Sequence, residues 1–109
     1  MLWAIHCLDA PGSAPRRTAA RPAHSARFRE PGARPRPVLY GPLVADDGTT
    51  AVGSLIIVEA ETREEVADYV ATDPFTTSGV WQHVVVHAFS PSQRSPVQLA
   101  AAPRQTVAP

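Results

Sequence analysis

The sequence predicts an α+β fold of the ferredoxin-like kind, an antiparallel four-stranded sheet with two helices on one face. Three observations carry that prediction. Apolar runs of strand length alternate with helical segments in the order strand, helix, strand, strand, helix, strand, which is the split βαβ pattern. Turn residues punctuate the runs at Asp9-Ala10-Pro11-Gly12, Asp46-Asp47-Gly48 and Asp73-Pro74. A length of 109 residues gives room for one compact core.

Residues 1–8 (MLWAIHCL) form a short apolar run rich in branched and aromatic side chains, which suits a buried strand. A helix is expected to begin near Arg21, with Pro22 in the first turn where its missing amide is tolerated, and to stop at Pro31-Gly32. Pro31, Pro35 and Pro37 imply that this helix is short or broken. Residues 38–44 (VLYGPLV) and 51–60 (AVGSLIIVEA) read as a hairpin, the first arm interrupted at Gly41-Pro42. Thr62 and Glu65 form a capping-box pair ahead of the stripe Val66, Tyr69, Val70, and Asp73-Pro74 ends that second helix. Residues 80–89 (VWQHVVVHAF) are apolar on both faces, as a central strand would be. The domain is thus expected to span 1–89, with 90–109 a mobile tail rich in proline, alanine and serine.

Composition excludes several kinds of chemistry. Ten basic and ten acidic side chains cancel, so no positive excess points to nucleic acid. The charges are unevenly spread, however. Residues 1–40 hold seven arginines against Asp9 and Glu30, and residues 41–109 hold three against eight carboxylates. Attraction between the halves, or between subunits, follows from that imbalance. An RNA-contacting basic arm would need several aromatic residues among its arginines, and Phe28 alone is interleaved with them. There is no lysine, which removes Schiff-base and P-loop chemistry. Cys7 is the single cysteine, in an apolar run, and reads as a buried, inert thiol. The first apolar run is too short to span a membrane and lacks a signal peptide's basic start, so a cytoplasmic location is expected. Because the third and fourth strands are apolar on both faces, the sheet face away from the helices needs a cover, and a second copy of the sheet makes the expected partner a homodimer.

The histidines divide. His83 and His87 stand four apart on a strand, too far for one metal ion at about 3.3 Å rise per residue. His6 alternates with Leu2, Ala4 and Leu8 and reads as a satisfied core residue. His24 stands beside Arg21 on the first helix, where Arg21, His24 and Phe28 share a face, so its imidazole suits proton transfer or anion binding. Asp73, before a proline at a helix end, suits either a turn that accepts a backbone hydrogen bond or the partner of a catalytic group.

Four short motifs in this order, Arg21-Pro22-Ala23-His24, Gly41-Pro42, Asp73-Pro74-Phe75 and Gly79-Val80, resemble the YCII-related family across nearly all of residues 1–89. The resemblance implies a dimeric α+β barrel with a histidine and an aspartate as an active-site pair, falling here on His24 and Asp73. It is then expected that His24 acts as general base, Asp73 orients its ring, and Arg21 neutralises an anionic small-molecule substrate. Backbone amides near Gly41 would approach a developing oxyanion, and Pro42 and Phe75 would contact the substrate. The reaction expected is proton transfer on a small carbonyl compound or hydroxylated ring, by isomerisation or elimination. No cofactor or metal is expected, since neither a nucleotide fingerprint nor metal-ligand spacing is present. A dimeric binding module without turnover and a domain tethered to a larger assembly by its tail are the readings from other classes.

Overall fold

The computed structural model describes residues 1–99. It contains β1 (Leu2–Asp9), α1 (Ala14–Phe28), β2 (Arg36–Val44), β3 (Ala51–Glu59), α2 (Arg63–Ala71), α3 (Pro74–Thr77) and β4 (Trp81–Phe89). The strands form one antiparallel sheet in the order β2-β3-β1-β4. This is the ferredoxin-like arrangement expected from the element order. On the helix side, Trp3, Ile5, Ile56 and Val58 pack with Val66 and Tyr69 of α2 and Phe75 of α3. Each such burial is worth about 1.5–3 kcal/mol.

Helix α1 departs from the sequence reading. It starts at Ala14 rather than near Arg21 and runs unbroken for 15 residues. Pro15 takes the first-turn place that the sequence reading gave to Pro22, and Pro22 lies inside the helix with no amide to offer the Thr18 carbonyl. Alanines and arginines on either side carry the helix through that gap. Nor do the later prolines shorten it. Pro31 and Pro35 fall in the connector, and Pro37 and Pro42 lie in β2, an edge strand that can omit amide donors.

Strand β4 is likewise an edge strand, paired with β1 alone, not the central strand expected from its apolar sequence. Apolar residues on both faces say that both faces seek cover, and carry no information on whether both edges are hydrogen-bonded. His6 is another correction: it is exposed on the sheet face away from the helices, opposite Leu55 on β3 and Val85 on β4, and is no core residue. The alternation that suggested a core position instead assigns it to the open face with Leu2, Ala4 and Leu8.

The second helix matches its capping signals. The Glu65 amide donates to Thr62 Oγ1 at 3.2 Å, while Glu65 Oε1 accepts the Glu61 amide at 2.9 Å, one residue beyond the usual box. At the hairpin end of the sheet, β3 approaches β1 so closely at Gly53 that a Cβ there would overlap the Cys7 carbonyl oxygen. Gly53→Ala is accordingly expected to destabilise the fold by about 1–3 kcal/mol through strand displacement. An unchanged urea midpoint would contradict this.

Beyond β4, residues 90–99 carry no strand or helix. The remainder of the expected tail, 100–109, lies outside the described residues. No described helix is long and apolar enough to cross a membrane.

Candidate active site

The site is built at the junction of α2 and α3. Pro74 ends the backbone pattern of α2 and opens α3, and Asp73 becomes the N-cap of that short helix, its Oδ1 accepting the Phe75 amide at 2.8 Å. The same carboxylate has two further donors. His24 Nδ1 lies 2.7 Å from Oδ1, and Arg27 Nη1 donates to Oδ2 at 2.9 Å. Asp73 is 0% exposed. Both roles the sequence offered for it, helix-end turn residue and histidine partner, therefore meet in one side chain.

That arrangement fixes the histidine's chemistry. A carboxylate only accepts hydrogen bonds, so Nδ1 of His24 carries the proton, and in the neutral ring Nε2 is left with its lone pair. Among the described residues nothing is hydrogen-bonded to Nε2. The ring is stacked on Phe75 at 3.9 Å between centroids and meets the edges of Phe28 and Trp81. It is 7% exposed, and that small exposure is at the wall of a cavity of about 610 Å³. The imidazole is thus buried, but it is satisfied by a carboxylate and open to a pocket.

Of the residues singled out from sequence, Arg21, His24, Gly41, Pro42 and Phe75 all line this one cavity, while Asp73 stands behind His24. Tyr40 lines it too, stacked on Phe28 at 3.9 Å. The spatial need for glycine at position 41 is not seen: a Cβ there would meet nothing within 4 Å. Arg21 and Arg29 are exposed at the wall, and among the described residues no carboxylate pairs with either guanidinium.

Several residues of the site escaped the sequence reading. Arg17 donates to Asp9 at 2.8 Å, to the Gly53 carbonyl at 2.7 Å and to Ser54 Oγ at 3.0 Å, and its guanidinium lies 4.7 Å from the Phe75 centroid. A helix begun at Ala14 would have revealed it, since Arg17, Arg21, His24 and Phe28 then follow the four-three-four spacing of one helix face. Arg27, three residues after His24, holds Asp73, the Tyr69 carbonyl and Thr72 Oγ1. Together with Arg36 on Glu59 at 3.2 Å, it realises the attraction between the basic first part of the chain and the acidic remainder. Ser54 and Trp81 come to the site through strand register and left no local signal.

Burial around this centre also sets two ionisations. It pushes the Cys7 thiol from 9.0 up to about 12, the Asp73 and Asp9 charges adding to the effect and Arg17 opposing it. Burial likewise raises the Tyr69 hydroxyl from 10.0 to about 12 despite the nearby Arg27. Both folded values lie above those of the unfolded chain, so this stability is complete below about pH 8.5 and declines as pH rises toward 12. Urea midpoints are expected to fall steadily between pH 9 and pH 11, and Cys7 should resist alkylation in the native protein at pH 8.

Comparison with known proteins supplies the lineage. A family model described as the YCII-related domain matches residues 1–90. The chain belongs to the YCII-related family. Protein YciI of Escherichia coli is 33% identical to this YCII-related chain over 94 residues, spanning 82% of the chain and 96% of the relative. An uncharacterized Haemophilus influenzae protein is 31% identical over the same coverage. Among solved structures, the 5-chloro-2-hydroxyhydroquinone dehydrochlorinase of Burkholderia phenoliruptrix, in complex with 2,5-dihydroxybenzoquinone, superposes with a TM-score of 0.75 at 30% identity. That match covers 85% of the YCII-related chain and 97% of the enzyme.

Proposed function

We propose that this protein is a small-molecule enzyme in which His24 removes a proton from a hydroxylated ring or a small carbonyl compound, leading to isomerisation or elimination. The observation that carries the reading is the Nδ1-to-Asp73 contact of 2.7 Å, which leaves the basic nitrogen of a cavity-wall histidine available. Proton transfer by such a group needs hydrogen-bond reach to substrate and an imidazole held in the correct tautomer. The likeness to a dehydrochlorinase bound to a dihydroxyquinone supports the ring-substrate class.

In the elimination form, the proton of one ring hydroxyl first moves to the ring carbon bearing the leaving group, giving the keto tautomer with a second hydroxyl still protonated. His24 Nε2 then takes a hydroxyl proton, the O–H pair becomes a carbonyl, and the leaving group departs as an anion with its bonding pair. The net change is loss of one acid molecule HX, so no external oxidant is consumed. Arg21 at the wall favours an anionic substrate, and the Phe75, Phe28 and Tyr40 rings suit a flat one. Backbone near Gly41 and Pro42 completes the far wall. The cytoplasm, where a lone reduced thiol such as Cys7 persists, is the compartment of this activity.

The test is turnover of 5-chloro-2-hydroxyhydroquinone and its non-halogenated analogues by wild type and by His24→Ala. Product formation by wild type that His24→Ala lacks supports the reading, and equal rates would sink it. The competing reading, a binding module without turnover, predicts ligand binding and no product with either protein.

The functional unit of this reading is a homodimer formed by the open sheet faces. Leu8, Leu39, Val85 and Phe89 are exposed there. Apolar rows of this kind on a monomer usually mark a contact surface. Light scattering is expected to give twice the chain mass at micromolar concentration. A stable monomer would contradict it.

A further inference from the structure

Ser54 lies on the helix side of β3 at 3% exposure and lines the same cavity as His24. Its oxygen receives two hydrogen bonds, from Arg17 Nη2 at 3.0 Å and from Trp81 Nε1 at 3.2 Å. A hydroxyl oxygen has two lone pairs and one proton. Both lone pairs are therefore engaged, and both neighbours are donors that cannot receive the proton. Among the described residues no group accepts it.

We infer that Ser54 is a substrate-contacting residue whose hydroxyl donates to a carbonyl or phenolate oxygen of the ring substrate beside His24. Its direction is set before any ligand arrives, because Arg17 cannot swing away. Asp9 and the Gly53 carbonyl hold the same guanidinium, at 2.8 and 2.7 Å. Charge on Arg17 draws electron density from the oxygen it bonds and strengthens the hydroxyl as a donor. As negative charge develops on the substrate oxygen, that donor stabilises it within a water-poor wall.

This deepens the proposed reaction and rests on it. The substrate class becomes a ring carrying two kinds of oxygen, an ionisable hydroxyl for His24 and an acceptor oxygen for Ser54, as hydroxyquinones and hydroxyquinols have. A donor-poor aromatic hydrocarbon or an alkyl amine would leave the Ser54 proton unmatched.

The probe for the test is 2,5-dihydroxybenzoquinone, whose colour permits direct titration. Ser54→Ala is expected to weaken its binding about 10- to 100-fold, the effect of losing a hydrogen bond to a charged acceptor. Ser54→Thr, which restores the hydroxyl, should recover most of that loss with the same melting temperature as Ser54→Ala, a rescue that a purely structural role would not give. Should Ser54→Ala fold poorly, a crystal structure of wild type with the probe decides, the expected result being a probe oxygen within about 3.0 Å of Ser54 Oγ. Equal affinity of wild type and a folded Ser54→Ala, or a probe oxygen out of reach of Ser54 in the crystal, overturns the assignment while leaving the His24 reading intact. Failure of wild type to bind the probe overturns the ring-substrate reading and the Ser54 contact together.

Discussion

Asp73→Ala is expected to lower the free energy of unfolding by about 3–5 kcal/mol, because it strips the partner from a part-buried cation and leaves two buried donors, His24 Nδ1 and the Phe75 amide, unpaired. Arg27 loses its carboxylate, His24 loses the acceptor for Nδ1, and the Phe75 amide loses its cap. Asp73→Asn isolates the chemical role. Its carboxamide has one accepting end, but donors face both oxygens of the native carboxylate. If the oxygen faces Arg27, the amide group meets the Phe75 N–H and reverses the His24 tautomer. If it faces His24, the amide group meets a guanidinium. In the first case Nε2 carries the proton and cannot serve as a base, so turnover should fall by about 10²–10⁴-fold with a smaller loss of stability than in Asp73→Ala. Urea titrations of the two variants beside wild type, with rates measured on the same samples, would check this. Wild-type stability in Asp73→Ala would refute the structural half.

His24→Ala is expected to reduce kcat by about 10²–10⁴-fold on a turned-over substrate, the range that a positioned base contributes, with a smaller change in KM. The substitution leaves Asp73 with two donors, Arg27 and the Phe75 amide, so the centre keeps most of its hydrogen bonds. It also vacates a ring-sized space between Phe75 and Phe28 that opens on the cavity. Added imidazole should therefore enter that space and restore part of the rate. Failure of any small base to do so, with the protein folded and still binding ligand, would argue that the ring's contribution is packing.

The element order and the second helix were legible because their signals are local: the period of the apolar runs, Asp47-Gly48 in the hairpin, and Thr62 with Glu65 at the cap. The start of α1 was not. Two prolines, Pro15 and Pro22, compete for one first-turn position, and local preference does not rank them. That single ambiguity hid Arg17 from the helix face on which Arg21 and His24 were recognised. The position of β4 was misread for a different reason, since hydropathy reports what covers a face and an edge is a property of hydrogen bonding. At the site, His24 and Asp73 were legible from their motifs. Arg27 and Ser54 gained their meaning only when 46 residues of chain separation from Asp73, or a strand register, had been folded away.

One wall of the cavity has a freedom the other lacks. His24 is bound into the interior through Asp73, Arg27 and a capped helix, so a change there costs stability. Tyr40, Gly41, Pro42 and the turn residues Thr49 and Thr50 instead belong to the outer hairpin, whose strand β2 is bonded to β3 alone. Substitutions there can reshape the opening without disturbing the His24–Asp73 pair. A scaffold divided in this way can diverge in what it accepts while its reaction type is inherited, and new specificities in such proteins should arise first along that hairpin.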